Sequence, residues 1–481
     1  MYILIRLSSE ISLKSDRVRA RFQQMLGDNI RYMLKCQGIA HKLDCQWGRF
    51  FLQIDPANYS QAETVLKRSF GVLSFSPVLE HAENTFDGLI ELGTKLFASK
   101  IAGKSFAVRC RRTAFSGFSS QDVAIALGSS LLTHSKDSRV DLKKPDVEVC
   151  IEIRDDGSYF YCDKIRGPGG LPLGTGGRAL CLISGGFDSV AAAWLAMKRG
   201  LWVDFLVLDL GGAAFVRSVF KVAQTLVHNW GNPGAQRFYA IDFSPAVEQL
   251  RTRTDARYSQ LLLKRLFLRA GDKLRHKIHS EALVTGEAIA QVSSQTLQNL
   301  SAIDQAVDCL VLRPLISYDK DDIVDLTRVI GTFDLCAPIQ EFCQLVPKNP
   351  VTAGKLSRVL EEEDKLDFEA LAQSFRQVQK LSFSAELDET MLVKEAITDP
   401  QVTLIDCRDE DIAEQNPLPG AGHIAFYRLM ETFTKLDKSA QYYIYCDSGT
   451  QSLLAAEKMQ ARGYLAYSYR PKKSGFPELS T

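Results

Sequence analysis

Two short stretches of the sequence combine residue types that could do chemistry. The first, SGGFDS at residues 184–189, lies between an apolar run and an alanine-rich stretch of helical composition. A strand, a glycine turn and a helix N-terminus together expose backbone N–H groups beside the positive end of a helix dipole, which favours phosphate binding. Ser184 and Ser189 can donate hydroxyls, and Asp188 could hold Mg²⁺ against the phosphates. An ordinary strand-to-helix turn is the alternative, and the placement at a strand end favours the phosphate site.

The second stretch is CDSGTQS at residues 446–452, which follows the strand-like YYIYC and precedes a helical segment. A thiol there would face backbone N–H groups and a helix N-terminus, so its pKa should be lowered and a thiolate or persulfide favoured. A buried structural cysteine is the alternative, which the loop spacing disfavours. A second cysteine could attack a persulfide on Cys446, releasing sulfide and leaving a disulfide. LCAPIQEFCQLVPKNP offers Cys336 and Cys343, and spacing alone does not choose between them.

Both loops resemble known families. SGGxDS lacks the lysine of a Walker loop and resembles the pyrophosphate loop of ATP pyrophosphatases, which adenylate a substrate oxygen. CDSGTQS resembles the CxxGxxS loop of rhodaneses. The residues that match rhodanese signatures are Cys446, Gly449 and Ser452 in the loop, and Asp406, Arg408 and His423 upstream. We expect His423 to be structural.

Two further stretches support a nucleotide site. LVTGEAIAQVSSQT, residues 283–296, supplies Gly286, which would let an adenosine pass closely, and polar groups on Gln291, Ser294 and Gln295. An equally good interpretation is that the Ser and Gln side chains of this polar run only cap a strand–loop–helix segment. In RPLISYDKDDI, Lys320 would neutralise charge that develops on pyrophosphate, although a lone lysine is more often a solvated side chain.

Composition limits the class of protein. The chain has 481 residues, 46% hydrophobic content and no apolar run of membrane-spanning length, so we expect a cytoplasmic protein of about three domains. Its 11 cysteines include no CxxC pair, which argues against a zinc ribbon or a cysteine-bound iron–sulfur cluster. Lys and Arg outnumber Asp and Glu by 25 to 19 up to Arg178, whereas the chain from Leu381 onward is acidic, 10 against 15.

Strand and helix patterns divide the chain into successive units. From Ala179, apolar strands alternate with helices, which implies a parallel sheet covered on both faces. A long acidic helix near residues 354–380 is predicted to close this domain. The predicted units are residues 1–60, residues 61–165, a Gly/Pro linker at 166–178, the nucleotide domain at 179–383, a linker at 384–395 and a last domain at 396–481.

The combination of both loops with a basic N-terminal half resembles the bacterial tRNA 4-thiouridine synthetase family (ThiI) over essentially the whole length. This resemblance implies a multidomain α/β protein. Its parts would be N-terminal ferredoxin-like and THUMP α+β domains that bind tRNA, a PP-loop ATP pyrophosphatase domain with a doubly wound parallel sheet, and a C-terminal rhodanese α/β domain.

The resemblance also implies the chemistry. ATP with Mg²⁺ adenylates O4 of the uridine at tRNA position 8, supported by Asp188 and Lys320, and a cysteine desulfurase loads Cys446 with persulfide sulfur. The KNP context picks Cys343 as the disulfide partner of Cys446. The residues at the family's ATP-contact positions are Leu182, Ile183, Lys264, Gly286 and Gln295, beside the loop residues Ser184, Gly185, Gly186, Asp188 and Ser189. Further implied partners are a thiamine sulfur-carrier protein and a second copy of the chain.

Two residues depart from the family pattern. Ala290 stands where the family often has glycine, and Gln451 stands where many rhodaneses have arginine.

For tRNA phosphates, the candidate cations are Arg17, Arg19 and Arg21, then Lys104, Arg109, Arg111 and Arg112, and the basic run at residues 251–277. Each of these patches is as well explained by a solvated helix or strand face.

Three other functions remain open at this point. An amide-forming ATP pyrophosphatase would leave the rhodanese-like segment unexplained. A sulfur-carrier protein of thiamine biosynthesis, with no tRNA role, would not need the residues before Arg166. A tRNA thiolase with an iron–sulfur cluster is disfavoured by the missing CxxC pairs.

Overall fold

The structure, a computed structural model of the chain, describes residues 1–113, 117–210, 212–337, 339, 349–384, 392–397, 401–447, 449–460 and 462–471. It divides into two compact units, Met1–Thr175 with Lys198–Gly200, and Gly176–Met197 with Leu201–Thr481. Among the described residues, no helix is both long and apolar enough to cross a membrane.

An antiparallel sheet organises the start of the first unit. Its elements are β1 (Tyr2–Leu7), α1 (Ser9–Ser12), α2 (Asp16–Cys36), β2 (His41–Gln46), β3 (Arg49–Ile54), α3 (Tyr59–Arg68) and β4 (Val72–Pro77). Strand β1 lies between β3 and β4. Helix α2 buries Leu26, Ile30 and Leu34 against this sheet, because residues four apart share one helix face. The sheet extends beyond the predicted end at residue 60, since it takes up β4.

A second sheet follows in the same unit. Its elements are β5 (Glu80–Ala82), α4 (Phe86–Phe97), β6 (Ser105–Arg112), α5 (Ser120–His134), β7 (Arg139–Val140), β8 (Val147–Arg154) and β9 (Gly157–Tyr161), followed by β10 (Ile165–Arg166). The strand order is β5-β9-β8-β6-β7. Strands β8 and β9 are antiparallel, and Asp155 and Asp156 form the turn between them. Strand β10 returns to the first sheet and pairs with β4, so contiguous residue ranges cannot describe the two sheets.

The second unit begins with a six-stranded sheet of order β15-β14-β11-β12-β13-β16. Its elements are β11 (Arg178–Leu182), α6 (Phe187–Lys198), β12 (Trp202–Asp209), α7 (Ala213–Trp230), β13 (Phe238–Asp242), α8 (Ser244–Arg253), α9 (Ser259–Lys277), β14 (Ala282–Val284), α10 (Leu297–Asp304), β15 (Leu310–Leu312), α11 (Lys320–Ile330), α12 (Phe333–Cys336), α13 (Leu356–Glu363), α14 (Phe368–Ser374) and β16 (Val378–Leu381). The first five strands of that order are parallel, as predicted.

The predicted helix over residues 354–380 is wrong. Helices α13 and α14 are separate, because the Asp367 side chain accepts from the N–H of Ala370 and starts a new helix. The chain then forms β16, which pairs antiparallel with β13 at the sheet edge. The composition of this acidic segment did not predict the helix cap at Asp367 or the edge strand β16.

A smaller parallel sheet completes the second unit, with strand order β17-β21-β20-β18-β19. Its elements are β17 (Val393–Lys394), β18 (Thr403–Asp406), α15 (Glu410–Gln415), β19 (Gly422–His423), α16 (Phe426–Thr432), β20 (Gln441–Tyr445), α17 (Thr450–Gln460) and β21 (Leu465–Tyr469). Strand β17 pairs with β21, so this sheet begins before the predicted boundary at residue 396. Most of the predicted linker at 384–395 lies outside the described residues.

Candidate functional site

The SGGFDS loop connects β11 to α6 at the carboxyl end of a central strand. Gly185 has a φ of +81°, which glycine adopts without strain. A Cβ at this position would also lie 2.8 Å from Cδ1 of Ile339. The loop therefore requires glycine for both its backbone conformation and its close packing.

Hydrogen bonds between its own residues shape this loop. The Ser189 hydroxyl donates to the carbonyl oxygen of Gly186 at 3.1 Å and accepts from the N–H of Ser184 at 3.3 Å. The two serine oxygens lie 3.4 Å apart. Ser189 thus holds the turn, while it also lines the cavity described below.

Asp188 is the point at which three separate segments meet. Its Oδ1 atom lies 2.6 Å from Nζ of Lys320 and its Oδ2 accepts from Nε2 of Gln291 at 2.8 Å. The side chain of Asp188 is 16% exposed and that of Lys320 is 48% exposed. The structure thus brings together the loop acid and the lysine that sequence analysis selected.

A cavity of about 590 Å³ opens beside the loop. The predicted site residues that line it are Leu182, Ile183, Ser184, Asp188, Ser189, Lys264, Gly286, Gln295 and Lys320. Gly185 and Gly186 shape the loop but are not among the lining residues. An apolar wall that sequence analysis missed consists of Leu206, Leu208, Leu210, Phe215, Leu263, Phe267 and Leu268. Its only sequence signal was the apolar character of β12 and α9.

The segment after β14 forms the other side of the cavity. A Cβ on Gly286 would lie 2.6 Å from the carbonyl carbon of Asp188 and 2.7 Å from the nitrogen of Ser189. Gly286 therefore lets this segment pass against the first turn of α6, which is a different reason from the predicted passage of an adenosine. Ala290 has a φ of +62°, which explains why glycine suits that position.

Gln295 presents an unused acceptor to the cavity. The residue is 7% exposed, and its Oε1 atom has no hydrogen-bond partner among the described residues. A buried amide oxygen without a partner is costly, so a ligand N–H is the natural complement.

The second loop places Cys446 directly after β20 and before α17. The Cys446 sulfur accepts from the N–H of Ser452 at 3.3 Å, and its thiol lies 3.5 Å from the Ser452 hydroxyl. Gly449, at a φ of +71°, would clash with Nε of Arg470 if it carried a Cβ. Arg470 also donates to the carbonyl oxygen of Gly449 at 3.2 Å. Arg470 thus brings a cation to the loop in which Gln451 replaces arginine, and sequence analysis missed it.

The upstream rhodanese-like residues support this loop. Arg408 binds Asp406 through two contacts, with Nε 3.0 Å from Oδ1 and Nη2 2.7 Å from Oδ2. Both residues are buried, and this hydrogen bonding raises the pKa of Arg408. Nε2 of His423 donates to the carbonyl oxygen of Arg408 at 2.9 Å, which fits the structural role expected for His423.

Cys336 and Cys343 were the two possible disulfide partners of Cys446. Cys343 lies outside the described residues. Cys336 is 1% exposed, and burial raises the pKa of its thiol to about 12. Cys336 therefore stays protonated at neutral pH and is a poor nucleophile.

Several cations of the basic segments are engaged within the protein. In the run at residues 251–277, Arg265 is fully buried and pairs with Glu363, which also binds Arg269. The solvated-face interpretation and the RNA interpretation are both wrong for Arg265. In β6, Arg109 binds Glu148 at 3.3 Å, and Arg112 donates to the carbonyl oxygen of Phe118 at 2.8 Å.

Arg111 differs from its neighbours in β6. Its side chain is exposed and makes no hydrogen bond or ion pair with the rest of the described chain. Of the three arginines predicted to contact RNA, Arg111 has the guanidinium most available to a ligand phosphate.

Four family models match the chain. The model described as "Thiamine biosynthesis protein (ThiI)" matches residues 174–368, and the "ThiI ferredoxin-like domain" matches residues 2–76. The THUMP domain model matches residues 83–163, and the rhodanese-like domain model matches residues 390–476. Each match falls on one of the four sheets, which confirms the predicted fold class.

Curated relatives match over nearly the whole length. The chain is 36% identical to a tRNA sulfurtransferase of Saccharophagus degradans, with 98% of this chain and 100% of the relative covered. It is 36% identical to a tRNA sulfurtransferase of Pseudomonas fluorescens, with the same coverage. Among solved structures, a 4-thiouridine synthetase–RNA complex with bound ATP is similar at a TM-score of 0.68 and 29% identity, covering 79% of this chain and 98% of that one.

Proposed function

The chain belongs to the tRNA sulfurtransferase family, and on that premise we propose that it uses ATP to convert a tRNA uridine, at position 8, to 4-thiouridine. The proposal has two halves, activation of the uridine oxygen and delivery of sulfur. The convergence of Asp188, Lys320 and Gln291 at the mouth of the cavity is the observation that carries it.

ATP fits the cavity by chemistry as well as by size. The SGGFDS loop and the N-terminus of α6 offer backbone N–H groups to the phosphates. The apolar wall suits a flat adenine base, and Oε1 of Gln295 is an acceptor that can pair with an exocyclic amine. The solved relative with bound ATP supports the same assignment.

Asp188 and Lys320 are suited to the activation step. The uridine O4 attacks the α-phosphorus of ATP, and pyrophosphate leaves with additional negative charge. The Lys320 ammonium is placed to stabilise this charge in the transition state. Mg²⁺ bound with ATP would be held by Asp188 and would neutralise phosphate charge. Among the described residues, no group of three or more His, Cys, Asp or Glu side chains forms a metal cage of its own.

Cys446 is proposed to carry the sulfur. A cysteine desulfurase would load it as a persulfide, whose terminal sulfur displaces AMP from the activated uridine. Cys343 then attacks the Cys446 sulfur, which breaks its bond to the sulfur now attached to the base, releases 4-thiouridine and leaves a Cys343–Cys446 disulfide that thiol reductants must reset. The loop N–H of Ser452 and the cation of Arg470 support the charged sulfur. Helix α7 links the sites, because its Phe215 lines the cavity and its Arg217 pairs with Glu457 of α17.

The test is formation of 4-thiouridine in unmodified tRNA by the full chain with Mg-ATP, cysteine and a cysteine desulfurase. Wild type and Cys36→Ala, which removes an exposed cysteine, are expected to give product. Cys446→Ala is expected to give no product, and Cys343→Ala is expected to lose repeated turnover. Product from Cys446→Ala would remove this residue from the sulfur path. No product from wild type would favour a sulfur carrier or an amide-forming enzyme instead.

The family model over residues 174–368 favours a second role in thiamine biosynthesis. In this role Cys446 would pass sulfur to the activated carboxyl end of a small carrier protein for the thiazole ring. Thiocarboxylate formation on that carrier, measured by mass spectrometry without tRNA, is expected with wild type and not with Cys446→Ala. Equal formation with both would exclude this role for Cys446.

A further inference from the structure

Cys407 and Cys446 are neighbours across the parallel strands β18 and β20. The register pairs Asp406 with Tyr445, so each cysteine is the next residue along its own strand. The N–H of Cys407 donates to the carbonyl oxygen of Tyr445 at 2.9 Å. In-register residues of adjacent strands project to the same face. Cys407 is fully buried and Cys446 is 4% exposed, and both belong to one apolar cluster.

The two thiols differ in which one keeps its proton. The pKa of Cys407 is raised well above its usual range, first by its hydrogen bond with Cys446 and then by burial. A protonated thiol is a donor. When Cys446 carries negative charge, the cross-strand neighbour Cys407 therefore keeps its proton and is placed to donate to it.

On the α17 side, a backbone donor reaches the Cys446 sulfur. The N–H of Ser452 does so at 3.3 Å. The hydroxyl of Ser452 is engaged with the carbonyl oxygen of Gly449 at 3.3 Å and with the Ser468 hydroxyl at 2.8 Å. The Cys446 thiol in turn donates to the Ser452 hydroxyl at 3.5 Å. On the β18 side, the neighbouring polar side chain is the Cys407 thiol.

The charged surroundings of the pair are fixed by their own contacts. The titratable groups on the adjoining elements include Asp406, Arg408, His423, Tyr445, Asp447, Glu457, Lys458 and Arg470. Asp406 binds Arg408, Tyr445 donates to Asp447 at 3.1 Å, and Glu457 pairs with Arg217. Asp406 also raises the pKa of Cys407. A change at Cys407 leaves these groups in place.

We propose that Cys407 is a positioning residue for the sulfur chemistry, whose S–H donates to Cys446 and stabilises negative charge on its sulfur. This inference rests on the proposed function, in which Cys446 bears the transferred sulfur. The donor comes from the strand next to the loop, where it complements the N–H of Ser452 on the α17 side.

The test is the pH dependence of Cys446 alkylation by iodoacetamide in the full chain, read at its peptide by mass spectrometry. Cys407→Val removes the donor at similar volume, and Cys407→Ser keeps a donor. Cys150→Val is the matched control, because Cys150 is a buried thiol of the first unit. We expect the midpoint to rise by about one pH unit in the valine variant, and to stay near the wild-type value in the serine variant and the control.

Superimposed profiles for wild type and Cys407→Val would overturn the proposal. An equal rise of the alkylation midpoint in the valine and serine variants would also overturn it, since the rise would then come from altered packing and not from loss of a hydrogen-bond donor. Limited proteolysis of residues 392–471 reports whether each variant is folded, and Cys407→Ala replaces the valine variant, under the same criteria, if that variant does not fold. Alkylation reports the ionisation of Cys446 whether or not the protein forms 4-thiouridine. If the alkylation midpoint shifts as expected but wild type forms no 4-thiouridine, only the proposed function is contradicted.

Discussion

Nζ of Lys320 lies 2.6 Å from Oδ1 of Asp188, although 132 residues separate them in the chain. Lys320 is the first residue of α11, where the helix dipole disfavours a cation. Asp188 lies in the first turn of α6, at the end of the SGGFDS loop. The pair thus connects the segment after β11 with the segment after β15, and it places opposite charges on two side chains that line one cavity.

Lys320→Met is expected to lower kcat for tRNA-dependent pyrophosphate release by about 10²–10³-fold, because charge stabilisation in the transition state is lost. The dissociation constant of ATP should change by less than about tenfold, since the loop backbone still holds the phosphates. Lys365→Met is the matched control, because Lys365 pairs with Glu362 at 2.7 Å in α13. An unchanged kcat in Lys320→Met would contradict the assigned role.

Gly286→Ala is expected to weaken ATP binding and to destabilise the nucleotide domain by about 1–3 kcal/mol. The added Cβ would meet backbone atoms of Asp188 and Ser189, which cannot move aside as a flexible side chain could. ATP titration and thermal unfolding measure both effects. Gly128→Ala in α5, where the nearest atom would be 3.9 Å away, should leave ATP binding unchanged. Equal ATP affinity in Gly286→Ala and wild type would refute the packing argument.

Ala290→Gly is expected to stabilise the chain by roughly 0.5–1 kcal/mol. The left-handed conformation costs alanine about 1–2 kcal/mol, and the extra freedom of glycine in the unfolded chain returns part of this gain. Urea unfolding followed by tryptophan fluorescence measures the difference. Ala370→Gly, in α14, should instead lose up to about 1 kcal/mol. A loss of stability in both variants would show that the φ of Ala290 is not a source of strain.

Arg111→Glu is expected to weaken tRNA binding and to reduce the slope of log K against log salt by about one. Its guanidinium is exposed in β6, whereas those of Arg109 and Arg112 are engaged within the protein. The measurement is tRNA affinity at several salt concentrations. Lys67→Glu reverses a lysine that pairs with Glu63 at 2.6 Å in the same unit and serves as the control. Identical slopes for Arg111→Glu and wild type would remove β6 from the RNA surface.

Local patterns were enough to predict much of the fold and the site. Strands β11–β14 follow from the apolar runs after residue 178, and the two loops follow from their spacing. The pairing of β10 with β4 was not predictable, because two-residue strands carry no periodic signal and their partner is distant in sequence. The apolar wall of the cavity, Arg470 and Cys407 were missed for the same reason, since three-dimensional packing brings them to the site.

Tertiary contacts also decided which charged residues were free. The cations of residues 251–277 were as compatible with an RNA surface as with a solvated helix face, yet Glu363 comes from α13 to bind Arg265 and Arg269. A sequence pattern shows a helix's own charges and does not show which charges pack against it. Arg111 could be distinguished from Arg109 only after Glu148 was placed on the neighbouring strand.

The central claim is that one chain activates uridine at the cavity and delivers sulfur from Cys446. The most direct measurement compares tRNA-dependent pyrophosphate release and 4-thiouridine formation in wild type, Cys446→Ala and Lys320→Met. We expect Cys446→Ala to release pyrophosphate, at up to about one equivalent per active site, without forming 4-thiouridine. We expect Lys320→Met to be slow in pyrophosphate release and in 4-thiouridine formation. Loss of pyrophosphate release in Cys446→Ala, or 4-thiouridine formation without ATP, would contradict the central claim.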